Sequence, residues 1–265
     1  MIKNLILFPH HYGQKLKGVS QAPSKIFDKL KNNHEYNFFN VNNSYELMSN
    51  INNLYYTNYK IQGKRMNIGG DHSMSIASCA YSLNKHPELK ILWFDAHADI
   101  NSYKKSVTKN YHGMPLHFLS NLSSNKTDFP FITTNLNLKN LMYIGLRDVD
   151  EYEQEIIDTY KIKVIKSDDF NNDPNRSLQK IYSFLKNSPF HLSFDVDCLD
   201  PSVVPCTGTM VNNGLYKTQT HDVMKSLMMH QNLINMDLTE LNIDEDFFNN
   251  EDKEKSIQNV VDIIF

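Results

Sequence analysis

The chain has 265 residues, 40% of them hydrophobic and 22% charged, and a formal net charge of −3. That is ample material for a core, and the mild negative balance speaks against nucleic acid or an anionic membrane surface as partner. No apolar stretch reaches membrane-spanning length, the first apolar run is too short for a signal peptide, and Cys79, Cys198 and Cys206 lack zinc-binding spacing, which points to a reducing, cytoplasmic setting without disulfides.

In chain order, short apolar runs alternate with longer amphipathic ones. Strands are predicted over residues 4–8, 65–68, 90–94, 141–145, 163–166, 191–194 and 233–236. Helices are predicted over 23–31, 45–58, 73–84, 151–160, 177–186, 219–229 and 254–264. This alternation implies an α/β protein, a three-layer α/β/α arrangement with a mostly parallel central sheet. No repeat or linker divides the chain, so one domain over 1–265 is expected. Ser73, just after Gly69-Gly70, reads as the N-cap of its helix. Residues 101–134 are polar and weakly periodic, and so long a connection is usually functional.

Three predicted strands run into potential metal ligands. The run 90–94 leads into Asp95-Ala96-His97-Ala98-Asp99, the run 191–194 into Asp195-Val196-Asp197, and the run 65–68 into Gly69-Gly70-Asp71-His72. Strand alternation would place Asp95, His97 and Asp99 on one face. Parallel sheets bind ligands outside the carboxyl ends of their strands, so all three motifs fall at one edge. A lone Asp-x-Asp or strand-end His is more often a cap or loop solvator; three such motifs together carry a metal reading.

His72, Asp95, His97, Asp99, Asp195 and Asp197 are too many for one catalytic zinc. They suit two divalent cations bridged by carboxylates. Oxygen-rich, thiolate-free ligation favours two Mn²⁺, with Fe²⁺, Co²⁺ or Zn²⁺ as alternatives. A water shared by two such ions loses its proton near neutrality, so the expected reaction class is metal-assisted hydrolysis.

These motifs, with Ser193-Phe194-Asp195-Val196-Asp197-Cys198-Leu199-Asp200-Pro201, resemble the ureohydrolases, the arginase, agmatinase and formiminoglutamase family with its binuclear manganese centre. The resemblance extends to an early loop (Gly13-Gln14-Lys15, Gly18-Val19, Pro23) and to the last helix. Several positions resemble the arginase branch. Tyr111-His112-Gly113-Met114-Pro115 looks like the loop bearing a catalytic histidine, so His112 would shuttle protons. By the same resemblance Asn101, Thr108 and Asn110 would hold a substrate α-carboxylate, and Asp150 with Glu153 the α-amino group. Glu240, in Met236-Asp237-Leu238-Thr239-Glu240, would grip the guanidinium, with Asp237 the weaker candidate, and Thr209 would line the cleft. Asp99 would bind metal and orient the nucleophile.

The resemblance thus implies hydrolysis of L-arginine to urea and ornithine. The alternatives are another guanidino substrate of the same family (agmatine, a guanidino acid, formiminoglutamate), or a silent arginine-binding scaffold. Single-metal deacetylases of related fold lack the paired ligand pattern. Lys109 stands where arginases commonly carry glycine; its side chain either adds a cation near the carboxylate or distorts the loop. Residues 210–218 depart from the arginase pattern, and the sequence stops at Phe265, short of the tail that holds many animal arginases as trimers, which leaves a homo-oligomer open.

Overall fold

The apolar runs form strands buried on both faces, as a parallel sheet covered by helices requires. The structure, a computed structural model, describes residues 2–42, 44–120, 122 and 128–265. The described strands are β1 (Asn4–Phe8), β2 (Asn37–Asn40), β3 (Arg65–Gly69), β4 (Lys90–Phe94), β5 (Leu141–Ile144), β6 (Lys163–Ile165), β7 (Phe190–Asp195) and β8 (Leu233–Thr239). They pair in parallel throughout, in the order β2-β1-β3-β8-β7-β4-β5-β6. The carboxyl ends of β3, β8, β7 and β4 therefore lie side by side at the centre.

The helices are α1 (Ala22–Leu30), α2 (Leu47–Lys60), α3 (Ser75–Lys85), α4 (Pro115–Leu119), α5 (Glu151–Tyr160), α6 (Ser167–Asn172), α7 (Pro174–Leu185), α8 (Lys217–Met229) and α9 (Asn250–Ile264). Period-two alternation divides the core into two layers. On β4, Leu92 and Phe94 pack with α1, α7, α8 and α9, while Ile91 and Trp93 pack with α2, α3, α4 and α5. No helix among the described residues is long and apolar enough to cross a membrane.

Sequence reading missed β2, α4 and α6. Edge strand β2 is Asn-Phe-Phe-Asn, with amides at both ends and only half-buried rings, so no apolar run announces it. Helix α7 starts earlier than expected because Asp173 caps it, accepting from the Arg176 N–H at 2.9 Å, with Pro174 in its first turn. The cap after β3 is Asp71 rather than Ser73. Its side chain accepts from the Ser73 N–H, His72–Met74 form a 3₁₀ turn, and α3 begins at Ser75.

Gly70 marks a close crossing: an added Cβ would lie 1.6 Å from the His10 carbonyl oxygen. That carbonyl accepts from the Asp71 N–H at 3.0 Å, and the Gly70 carbonyl accepts from the Glu240 N–H at 2.8 Å. Gly70→Ala must push two backbones apart, costing about 3 kcal/mol. Thermal denaturation should show a midpoint lowered by roughly 6–12 °C.

Candidate active site

One local device recurs at three strand ends. Asp71, Asp95 and Asp195 each turn Oδ1 back to accept the backbone N–H two residues on, at 3.0, 2.7 and 2.8 Å. Such Asx turns stop the strand and aim the second oxygen outward. The ligands therefore meet by a different route from the strand pleat expected from the sequence. β4 ends at Phe94, and Asp99 reaches the cluster from a left-handed backbone conformation, φ +50°.

The six motif residues converge. His72 Nδ1 lies 3.1 Å from Asp95 Oδ2, 2.9 Å from Asp99 Oδ2 and 3.1 Å from Asp195 Oδ2. His97 Nδ1 lies 3.0 Å from Asp197 Oδ2 and 3.5 Å from Asp95 Oδ1. Two candidate ligand groups result, His72/Asp95/Asp99 and Asp95/His97/Asp197, sharing the Asp95 carboxylate. His72 Nδ1 and Asp99 Oδ2 are sealed from solvent without a well-aligned hydrogen-bond partner. Imidazoles and carboxylates with orphaned buried atoms, and no thiolate, fit a pair of divalent cations of the Mn²⁺ type.

The electrostatics agree. Burial opposes protonation of His72, yet Asp195, Asp95 and Asp99 together hold it well above an ordinary imidazole. His97, half-buried, is raised by Asp197 and Asp95 against the desolvation that lowers it. Burial and the Asp95 charge push Asp99 up to about 6, and burial with Asp197 and Asp95 raises Asp195 well above the carboxylate range. Asp95 is lowered despite its burial, because the two histidines beside it favour its charged form. So much like charge in one buried place calls for a cation.

Beside the cluster is a cavity of ≈ 170 Å³, whose lining includes His97, Asp99, His112, Asp195, Asp197 and Thr209. Asn101, Thr108, Asn110, Asp150 and Glu153 line it too. A larger cleft of ≈ 700 Å³ between β2 and α2 holds none of the ligands. Asn101 Nδ2 donates to Asp150 Oδ2 at 2.7 Å, and Thr108 Oγ1 accepts from the Asn110 N–H at 3.3 Å. Thr209 Oγ1 donates to Asp197 Oδ2 at 2.9 Å. Glu153 is buried and accepts from the Ile100 N–H at 3.1 Å and the Asp150 N–H at 3.2 Å, so it ties α5 to the ligand loop. Lys109 does not enter the cavity. It sits at φ +61°, a backbone region that glycine adopts most freely, and its Nζ turns back to the Tyr103 carbonyl at 2.6 Å.

Glu240, at φ +65°, is buried and held at both oxygens. Oε1 accepts from the His72 N–H at 2.8 Å and Oε2 from Gln14 Nε2 at 2.5 Å. His112 Nδ1 lies 3.2 Å from Oε1, and the His112 N–H donates to the Gly13 carbonyl at 3.2 Å. Burial opposes protonation of His112, but Glu240 lifts it to about 9. A histidine raised on folding stabilises fully below its unfolded pKa, and that contribution fades as pH rises through the folded value. Metal-free protein should therefore lose thermal stability between pH 6.5 and about 9, and His112→Asn should flatten that slope in a pH series of melting curves.

Several contributors escaped sequence reading. Gln14 touches Glu240 across 226 residues of chain. Trp93 stacks on His72 with ring centroids 4.3 Å apart, and its Nε1 donates to Asp95 Oδ2 at 2.9 Å. Arg147 fans onto the carbonyls of Asp197 (2.7 Å), Val211 (2.7 Å) and Asn212 (3.0 Å), pinning the departing segment after β7. Only the position of Trp93, directly before the ligand motif, could have flagged it.

A model of the arginase family matches residues 4–256. The hepatic arginase of Aquarana catesbeiana is 37% identical over 185 residues, which make up 67% of this chain and 57% of that protein. The matched part thus spans little more than half of the frog enzyme's length. Arginase-1 of Mus musculus is 32% identical over 269 residues, covering 88% of this chain and 82% of the mouse protein. In structure, Entamoeba histolytica arginase in complex with L-ornithine superposes with a TM-score of 0.88 at 25% identity, over 99% of this chain and 98% of that one. Formimidoylglutamase from Bacillus subtilis, at 16% identity, shares the fold with a TM-score of 0.80, over 99% of this chain and 86% of that one. Matched across most of its length by the family model, and joined to these relatives by sequence, the chain belongs to the arginase family.

Proposed function

We propose that the chain is a single catalytic domain that hydrolyses the guanidinium group of L-arginine to urea and ornithine with two divalent cations, Mn²⁺ foremost. The observation that supports this most is the convergence of His72, Asp95, His97, Asp99, Asp195 and Asp197 beside a cavity that Asn101 and Asp150 also line. His72, Asp95, Asp99 and Asp195 would hold one cation, and Asp95, His97, Asp195 and Asp197 the other. When bound, such a pair supplies a nucleophile from water near neutral pH and a positive field where charge develops.

The chain's own residues do the rest. Glu240, fixed at both oxygens, offers a carboxylate to the planar guanidinium fork. Asp99 orients the attacking oxygen. His112, kept protonated beside Glu240, gives its proton to the departing nitrogen, so that the elements of water end up divided between urea and the amine. Asp150 and Glu153 recognise the α-amino group, and Asn101, Thr108 and Asn110 the α-carboxylate, while Thr209 steadies Asp197. Fixed dipoles and positioning supply most of the acceleration.

Urea release by Mn²⁺-loaded protein, with L-arginine and agmatine side by side, tests the reading. Turnover of arginine is expected, and Asn110→Ala should cut its kcat/KM by about 10- to 100-fold, the loss of one charge-assisted hydrogen bond to the α-carboxylate, while leaving agmatine, which lacks that carboxylate, unaffected. Preference for agmatine would overturn the recognition set but keep the hydrolytic chemistry. No urea from either substrate would favour another guanidino compound or a silent scaffold.

A further inference from the structure

A seam of buried polar side chains leads from the ligand cluster into the sheet. His72 Nε2, the nitrogen turned away from the carboxylates, lies 2.7 Å from Ser193 Oγ on β7. Ser193 Oγ lies 3.3 Å from Ser75 Oγ at the start of α3. Ser75 donates to Asp237 Oδ2 on β8 at 2.7 Å. The same Asp237 oxygen accepts from Ser78 and lies 3.1 Å from His191 Nε2, while its Oδ1 accepts from Asn67 Nδ2 at 2.8 Å. All these side chains are buried.

The direction of every hydrogen bond along this path is determined. A cation among Asp95, Asp99 and Asp195 needs the lone pair of His72 Nδ1, so the ring proton sits on Nε2 and is donated to Ser193. With its oxygen occupied as acceptor, the Ser193 hydroxyl donates onward to Ser75, and Ser75 donates to Asp237. The path runs one way and ends on a carboxylate, which only accepts. Cys79, His191 and Asp237 are also close enough to suggest a third metal site. Against that, Asp237 is already surrounded by Ser75, Ser78, Asn67 and His191.

We infer that Asp237 and Ser75 are positioning residues: through Ser193 they fix the tautomer and ring plane of His72, and so set how tightly the cluster holds its cation. The inference rests on the metal reading above. Partners of this kind typically change metal affinity by about 10- to 100-fold.

Titrating metal-free protein with Mn²⁺ by calorimetry, alongside its thermal midpoint, tests the point. The parent is titrated first. Two binding events leave the metal reading standing, and their absence overturns that reading together with this inference. Ser75→Ala and Asp237→Asn should each weaken one of the two events by about 10- to 100-fold. Ser78→Ala removes a hydrogen bond to the same carboxylate but leaves the path intact. It should lower the metal-free midpoint as Ser75→Ala does, with parental affinity for Mn²⁺. Parental affinity in both Ser75→Ala and Asp237→Asn would overturn the assignment, as would an equal loss of affinity in Ser78→Ala.

Discussion

Asp195→Asn is expected to abolish Mn²⁺-induced stabilisation while leaving the metal-free protein at least as stable as the parent. Asp195 is buried against His72, Asp95 and Asp197, and its ionised form is disfavoured there without a cation. Asparagine keeps the oxygen that accepts the Asp197 N–H, so the turn after β7 survives. What it loses is the charge that both cations would share. At 100 times the dissociation constant, each cation contributes about 2.7 kcal/mol to the parent. Two sites give about 5 kcal/mol, on the order of 10 °C in a chain of this size. Scanning calorimetry with and without Mn²⁺ should show that gain in the parent and none in the variant. A variant that melts far below the parent without metal, yet keeps the Mn²⁺ gain, would make Asp195 a structural residue.

Glu240→Gln carries the second large effect, a fall of about 10²- to 10³-fold in kcat/KM for arginine. Truncating one partner of a buried charge pair costs about 2–5 kcal/mol, and the guanidinium would meet a neutral amide. His112 loses the carboxylate that holds its proton, so its acid role weakens as well. Glu240 belongs to neither candidate ligand group, so Mn²⁺ titration of the variant should match the parent. A parallel loss of metal affinity would show instead that Glu240 supports the cluster through the His72 N–H.

Much of the layout could be read from the residues, because burial leaves a period. The cores of β1, β3, β4 and β7 are buried runs, the last three leading into acids, and those acids lie at one edge. Reading failed where burial is polar. The strand expected over 233–236 continues to Thr239 as β8, but Asn235, Asp237 and Thr239 look like an exit from the core. The hydrogen-bond partners of Asn235 and Asp237 include Asn67 on β3 and Ser75 on α3, more than 150 residues away in sequence, so no local signal reports that those two are satisfied. The contact of Gln14 with Glu240 went unnoticed for the same reason. The backbone at Lys109 was hidden differently, since a lysine at positive φ is chosen by its loop and not by its side chain. Strand order was equally out of reach, because pairing between β8 and its neighbours β3 and β7 joins remote segments.

Asp99 and Glu240 both occupy left-handed backbone that glycine adopts freely and that costs other residues roughly 1–2 kcal/mol apiece. The chain therefore folds against its own preference at two of the buried carboxylates that the proposed chemistry uses. Laboratory evolution under heat alone, without metal, would find Asp99→Gly among its readiest gains, because the Asp99 Oδ2 has no hydrogen bond to lose, and would discard the chemistry in taking it. Thermal hardening of this scaffold has to be sought elsewhere, with turnover scored in every round.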